Sequence, residues 1–273
     1  MNELVKRSAS GILYVALISF ATIYSFTAVS LLMSIFLFIA CRELSKILKM
    51  SETDTGIFSV VSVFTYFLLL IPVYIPLKEY YFVPFAIVSA IIVILAGMKK
   101  YDMVFGWIYL CFPLALISFF PAIPDFQFVD GSWIYNEMFN TDIILIFFVL
   151  MWTYDVMAYV CGRIFGRNKL APVISPGKTW EGIFGGLSFT IMAGLIIAIQ
   201  FELSEWLILP MCIIIVVFGT MGDLLESMLK RQSGLKDSGT LIPGHGGLLD
   251  RIDGVLLAIP AVVSFLYLYN YIV

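Results

Sequence analysis

The sequence predicts an all-α, polytopic integral membrane protein with about nine transmembrane helices and a cytoplasmic N-terminus. Three observations carry that prediction. The 273 residues are 61% hydrophobic and only 13% charged, with a mean hydropathy of +1.01, whereas a soluble domain carries about 25% charged residues. Apolar runs approaching the ~20 residues that span a bilayer recur along the whole chain. Once those runs are counted as spans, the basic residues fall on one side of the membrane.

Taken in order, Lys6 and Arg7 precede an apolar run over 11–40. The run exceeds the roughly 7–15 apolar residues of a signal peptide and reads as an uncleaved anchor. It is also too long for one helix and divides into two near Ser25. Further spans are predicted at 57–73, 80–97, 103–120, 141–162, 182–200, 206–222 and 254–272. The alternation of about ten residues expected of a membrane β-barrel does not recur. Nine spans place 1–10, 42–56, 98–102, 163–181 and 223–253 on the inner side. Of the 16 lysines and arginines, all but Lys78 then lie inside, the bias expected of inner loops. Outer loops carry Glu79, Asp125, Asp130, Glu137, Glu202 and Glu205. The outer loop 121–141 holds Phe126, Phe128, Trp133 and Tyr135, an interfacial aromatic belt. A net charge of −3 argues against a nucleic-acid partner. Cys41, Cys111, Cys161 and Cys212 are widely spaced and read as buried apolar side chains.

Residues 1–140 read as a transmembrane scaffold, for which the basic residues Arg42, Lys46, Lys49, Lys99 and Lys100 serve topology alone. Residues 141–273 hold the chemistry, in and beside the inner loops 163–181 and 223–253. The second of these loops gathers Lys230, Arg231, Lys236 and Arg251 with Asp223, Glu226, Asp237, Asp250, Asp253 and the single histidine, His245. Pro243, Gly244, Gly246 and Gly247 make an irregular turn whose backbone N–H groups could approach an anion. Asp250 and Asp253 are three apart and share a face of the last helix, as do Asp223 and Glu226 at the end of the eighth span. Carboxylates facing lysines and arginines suggest a polyphosphate held through Mg²⁺. The other reading of the same residues is a topogenic basic loop with aspartates capping a helix. Asp155 interrupts an apolar run at an insertion cost of about 2.5–3.5 kcal/mol, and serves either function or a structural bridge to Arg163 or Lys178. Ala158, Gly162 and Gly166, with Gly182 and Gly186, form small-residue faces for close helix packing.

The run 227–253, beginning Ser227-Met-Leu-Lys230-Arg231 and ending His245-Gly-Gly-Leu-Leu-Asp250-Arg251-Ile-Asp253, resembles the signature of the phosphatidate cytidylyltransferase (CDP-diacylglycerol synthase) family. A second stretch, from Asp155 through Tyr159 to Ser175-Pro-Gly-Lys178-Thr179-Trp-Glu-Gly182, is similar to another family motif. Lysine is frequent in that family where this chain has Gly177, so that position is given no role. The resemblance covers roughly 140–273; the first 140 residues match only as a helical scaffold. It implies that CTP and phosphatidate, the latter from the bilayer, condense to CDP-diacylglycerol and pyrophosphate at an inner-membrane site facing the cytoplasm. It implies Mg²⁺ on Asp223, Asp250 and Asp253, with a second cation left open. Lys230, Arg231, Lys236 and Arg251 would bind phosphates, Asp237 would orient Lys236, and His245 would shape the turn or touch a phosphate. Asp155, Ser175, Lys178 and Thr179 would contact one substrate. A homodimer fits a membrane enzyme of this size, though no residue pattern requires it. A CTP-dependent polyprenol kinase and an ion-coupled transporter are the alternatives. The Asp-Gly-x-x-Ala-Arg pattern of CDP-alcohol phosphatidyltransferases is absent from the sequence.

Overall fold

Each long apolar run becomes a helix, because a chain in hydrocarbon must satisfy its own backbone polar groups. The structure, a computed structural model, describes residues 3–74, 82–120, 125–129, 132–136, 141–242 and 246–272. The first run divides at Ser25: α1 (Glu3–Tyr24) ends and α2 (Phe26–Ile47) begins there, with the Ser25 hydroxyl accepting the Ala28 N–H at 3.1 Å. The serine breaks the run because its side chain replaces an intrahelical partner at the new helix start. Then follow α3 (Glu52–Tyr74) and α4 (Phe82–Gly97). The fifth run, 103–120, is helical but irregular. It passes from α5 (Tyr101–Gly106) through a π-helical turn (Trp107–Cys111) into α6 (Phe112–Leu116) and a 3₁₀ turn (Ile117–Phe119). Pro113 accounts for the break, since it lacks an N–H and its ring crowds the Tyr109 carbonyl four residues back.

The second half comprises α7 (Asp142–Phe165), α8 (Trp180–Gln200), α9 (Glu205–Ser233) and α10 (Leu249–Ile272). Among the described residues, six helices are long and apolar enough to cross a membrane: α2, α3, α7, α8, α9 and α10. Three shorter apolar helices cover 10–24, 84–97 and 101–116. The predicted all-helical membrane fold is therefore present. Large apolar side chains such as Ile12, Phe20, Ile196 and Ile199 face outward, as lipid-facing helices require. The core runs along α10, where Leu249, Ile252, Leu256, Ile259 and Val262 are buried among α2, α6 and α9.

Two short antiparallel hairpins depart from an all-helical reading. The first pairs β1 (Asp125–Val129) with β2 (Ser132–Asn136), placing Phe126 opposite Tyr135 and Phe128 opposite Trp133 in register. The aromatic segment read as an outer loop thus has strand pairing that its composition alone did not announce. The second hairpin pairs β3 (Lys169–Ala171) with β4 (Ser175–Thr179) inside the predicted loop 163–181.

The predicted loop 223–253 is also corrected. Its first eleven positions belong to α9, which runs on to Ser233, and its last five to α10. The apolar run ends near 222, but Asp-Leu-Leu-Glu-Ser-Met-Leu-Lys-Arg-Gln keeps good helix formers and an i, i+4 Glu226–Lys230 pair. The helix stops at Gly234, whose left-handed φ of +80° closes α9. The following Leu235 N–H bonds the Lys230 carbonyl at 2.8 Å, the arrangement that satisfies a helix C-terminus.

Glycines let the helices of the second half approach. A Cβ on Gly182 would lie 2.8 Å from the Ala158 carbonyl and 3.2 Å from the Gly162 Cα. The small-residue faces predicted on α7 and α8 therefore meet each other. A Cβ on Gly222 would collide with the backbone carbonyl of Asp253 and come within 3.0 Å of the Gly254 Cα. Backbone cannot swing aside as a side-chain tip can. Gly222→Val is expected to destabilise the folded protein by roughly 1–3 kcal/mol or more, seen as a lowered midpoint in thermal unfolding in detergent.

Candidate active site

A cleft of about 670 Å³ lies between α7, the β3–β4 hairpin, α9 and α10. Its acidic lining comprises Asp155, Asp223, Asp250 and Asp253; its basic lining comprises Arg163, Lys169, Lys178 and Arg251. The two sequence motifs, some seventy residues apart, thus converge on one cavity.

Asp155 sits in the middle of α7, accessible from the cleft. Asp223 accepts the Ser227 hydroxyl at 3.2 Å on one oxygen and meets the Lys178 ammonium at 2.6 Å on the other. Lys178 belongs to β4, so this ion pair fastens the hairpin to α9. Burial alone would push the Lys178 ammonium down, but the adjacent Asp223 carboxylate outweighs it and holds the group above the usual lysine range. Lys178 therefore stays cationic at neutral pH. Asp253 lies within electrostatic reach of Asp223, Glu226 and Asp155. One of its oxygens accepts the Gly254 N–H at 2.7 Å.

Asp250 is held differently. One oxygen meets the Lys230 ammonium at 2.5 Å. The other accepts the Gly247 N–H at 2.7 Å, the Ser238 N–H at 3.0 Å and the Ser238 hydroxyl at 3.0 Å. Gly246 must be glycine here, since it has φ +88° and a Cβ would fall 2.5 Å from the Asp250 carboxylate. The glycine turn was expected to let its N–H groups approach an anion. The amide at 247, with those at 248 and 249, binds anions of the chain itself, the carboxylates of Asp250 and Glu43. Asp250 is thus held by four donors of its own chain, against two on Asp223, which makes it an organiser of the turn and the less open of the two to a metal.

The other expected phosphate ligands divide. Arg251, Ser175 and Lys178 line the cleft. Thr179 lines it too, but is buried and caps α8, its hydroxyl accepting the Gly182 N–H at 3.2 Å. Lys230 is buried behind Asp250, between Asp250 and Glu226 at 2.5 Å from each, and does not line the cleft. Arg231 is exposed and donates to the Leu235 carbonyl at 3.3 Å, and Lys236 is exposed; neither lines the cleft. His245 lies outside the described residues.

Among the described residues no three histidine, cysteine or carboxylate side chains are grouped closely enough to hold a metal by themselves. Mg²⁺ is commonly bound through one or two carboxylates plus phosphate oxygens and water. Asp223 and Asp253 fit that requirement.

The sequence model of the cytidylyltransferase family matches residues 5–269 of the chain. The chain belongs to the cytidylyltransferase family. A phosphatidate cytidylyltransferase of Staphylococcus saprophyticus is 47% identical over 119 residues, covering 43% of this chain and 46% of that protein. Those of Staphylococcus haemolyticus and Staphylococcus aureus are 46% and 44% identical over the same length. The alignments span about half the length of these curated relatives.

Sequence reasoning missed several residues of the cytidylyltransferase cleft. Tyr154, Tyr159, Arg163 and Lys169 all line it. Helical spacing carried a signal for two of them: Tyr159 and Arg163 follow Asp155 at i+4 and i+8 on one face. Glu43 was also missed, in a helix read as scaffold. Glu181 was quoted within the motif but given no role. Its carboxylate accepts the Arg167 N–H at 3.1 Å, the Asn168 N–H at 3.1 Å and the Asn168 side-chain amide at 2.7 Å. It thereby clamps the base of the hairpin that carries Ser175 and Lys178. Glu181→Ala should increase amide exchange over 167–179 and leave exchange in α9 unchanged, as read by mass spectrometry.

Proposed function

We propose that this chain transfers the cytidylyl group of CTP to phosphatidate, forming CDP-diacylglycerol and pyrophosphate. The carrying observation is the meeting of both motifs in one cleft, with carboxylates from α7, α9 and α10 facing cations from α7, the hairpin and α10. Such a lining suits a polyphosphate that brings its own cation. The membrane helices put this cleft in a protein that also meets lipid. The excess of basic residues in one set of loops supports a cytoplasmic-facing site in an inner membrane.

In the reaction a phosphatidate phosphate oxygen attacks the α-phosphorus of CTP. The new P–O bond forms as the bond to the bridging α–β oxygen breaks, and pyrophosphate carries away that electron pair. A phosphate monoester dianion is nucleophilic enough that no strong general base is needed. The chain's work is positioning and charge compensation. Mg²⁺, when bound by Asp223 and Asp253, supplies positive charge to the phosphate oxygens. Arg163, Lys169 and Arg251 neutralise the remaining phosphate charge. Lys178, paired with Asp223 at the cleft wall, would present its ammonium to a phosphate. Asp155, within electrostatic reach of Lys178 and Arg251, would help hold those cations in the cleft.

Purified protein in detergent, given cytidine-labelled CTP, phosphatidate and Mg²⁺, is expected to yield a labelled liponucleotide and one pyrophosphate per turnover. Release of CDP with the γ-phosphoryl group on a lipid would replace this reading by a kinase. No labelled lipid from any combination would reject it.

A further inference from the structure

The buried carboxylate of Glu43 lies far in sequence from every motif. It is 5% exposed, in the last two turns of α2. One oxygen accepts the Leu248 N–H at 3.1 Å; the other accepts the Leu249 N–H at 2.8 Å and the Ser238 hydroxyl at 3.2 Å. It therefore caps α10 from another helix, satisfying N–H groups that a helix start leaves open, with its negative charge at the positive end of the dipole. The chain leaves room for it. A Cβ on Gly239 would sit 2.5 Å from one Glu43 oxygen, and a Cβ on Gly247 would sit 2.5 Å from the other. Ser238 is itself 3% exposed, and its hydroxyl and N–H both contact Asp250. A continuous run of contacts thus leads from α2 through Ser238 to Asp250, and along the first turn of α10 to Arg251 and Asp253 in the cleft. A second tie joins the same halves, since the Tyr14 hydroxyl of α1 donates to the Arg251 carbonyl at 3.3 Å.

From this geometry we infer that Glu43 is a positioning residue, fixing the first turn of α10 so that Asp253 and Arg251 are correctly placed in the cleft. The inference rests on the cytidylyl-transfer reading for its kinetic consequence, and on the geometry alone for its structural one. Glutamine is nearly the same shape but cannot replace glutamate here. Its single oxygen can face only one side of the cradle, and its NH₂ would point at an N–H donor on the other. Orientation of groups in the reacting geometry governs turnover more than nucleotide capture.

The test uses the full chain in detergent with Glu43→Gln, Ser238→Ala, the double variant, and Glu52→Gln on the exposed start of α3 as a control. Expected for Glu43→Gln is a kcat lower by ~10–100-fold, the range for residues that hold ligands from behind, with KM for CTP within about threefold. Ser238→Ala should fall in the same direction. The double variant should be no worse than the worse single variant, since coupled residues are not additive. Amide exchange over 246–256 should rise in Glu43→Gln and not in Glu52→Gln. Wild-type kcat in Glu43→Gln, a change confined to KM, or losses that simply multiply in the double variant would each overturn the inference. Should Glu43→Gln fail to fold, Ser238→Ala decides: unimpaired kcat there refutes the relay. Should the wild-type protein make no liponucleotide, the transferase reading falls, and the exchange measurement still judges Glu43 by itself.

Discussion

Asp253→Asn is expected to lower cytidylyl transfer by at least ~100-fold while leaving the protein as heat-stable as before, or more so. The two halves of this expectation share one cause. Asp253 lies within electrostatic reach of the three acids Asp155, Asp223 and Glu226, against which stand one backbone N–H and the Lys178 ammonium. A carboxylate so placed repels its neighbours in the resting protein, and neutralising it relieves that repulsion. A group that costs stability in the resting fold is what a site specialised for a cation and a triphosphate would hold. Asp250→Asn should behave in the opposite way. Its carboxylate accepts from Lys230, Gly247 and Ser238, so its loss should lower thermal stability together with turnover. Paired melting curves and steady-state kinetics on both variants separate them. If Asp253→Asn retained full turnover, or if it melted earlier while Asp250→Asn did not, the assignment of the metal to Asp253 would be wrong.

This contrast also marks how far the sequence could be read. The membrane helices were legible because a bilayer imposes one demand, a long apolar run, and the chain meets it in plain order. The split at Ser25 was legible for the same reason, since thirty apolar residues over-fill one span. The helical ends of α9 and α10 were not, because hydropathy marks where a helix leaves an apolar run and does not mark where the helix stops. The β3–β4 hairpin was hidden as well: Ser175-Pro-Gly-Lys-Thr179 has little strand propensity and is held by Glu181 and by the Lys178–Asp223 pair. At the site, the signature singled out a set of residues and could not say which of them face the cleft. Asp223, Asp250 and Asp253 look alike in a sequence, yet one is paired with the hairpin lysine Lys178, one is held by Lys230 and backbone amides, and one stands among other acids. The part played by Glu43 was beyond reach, because its partners Leu248 and Leu249 are over two hundred residues away.

Lys230 offers the largest expected effect on stability. Its ammonium lies 2.5 Å from Glu226 and 2.5 Å from Asp250, with side-chain exposures of 10%, 0% and 9% for the three. Glu226 depends on it wholly, for its second oxygen is buried with no hydrogen-bond partner among the described residues. Lys230→Met keeps the length of the side chain and removes the charge. It strands a buried carboxylate, and such losses cost about 3–5 kcal/mol. A comparable change at an exposed cation such as Arg231 should cost well under 1 kcal/mol. The decisive variant is the double, Glu226→Gln with Lys230→Met. If the penalty comes from the stranded charge, removing that charge should restore more than half of the lost stability, although it adds a second substitution. If the double variant is as unstable as the single, or if Lys230→Met melts like the wild type, the buried triad does not hold α9 to α10. In the first outcome the Lys-Arg pair of the signature divides its duties: Lys230 binds the two helices that carry Asp223 and Asp253, and the cleft takes its cations from Arg163, Lys169, Lys178 and Arg251.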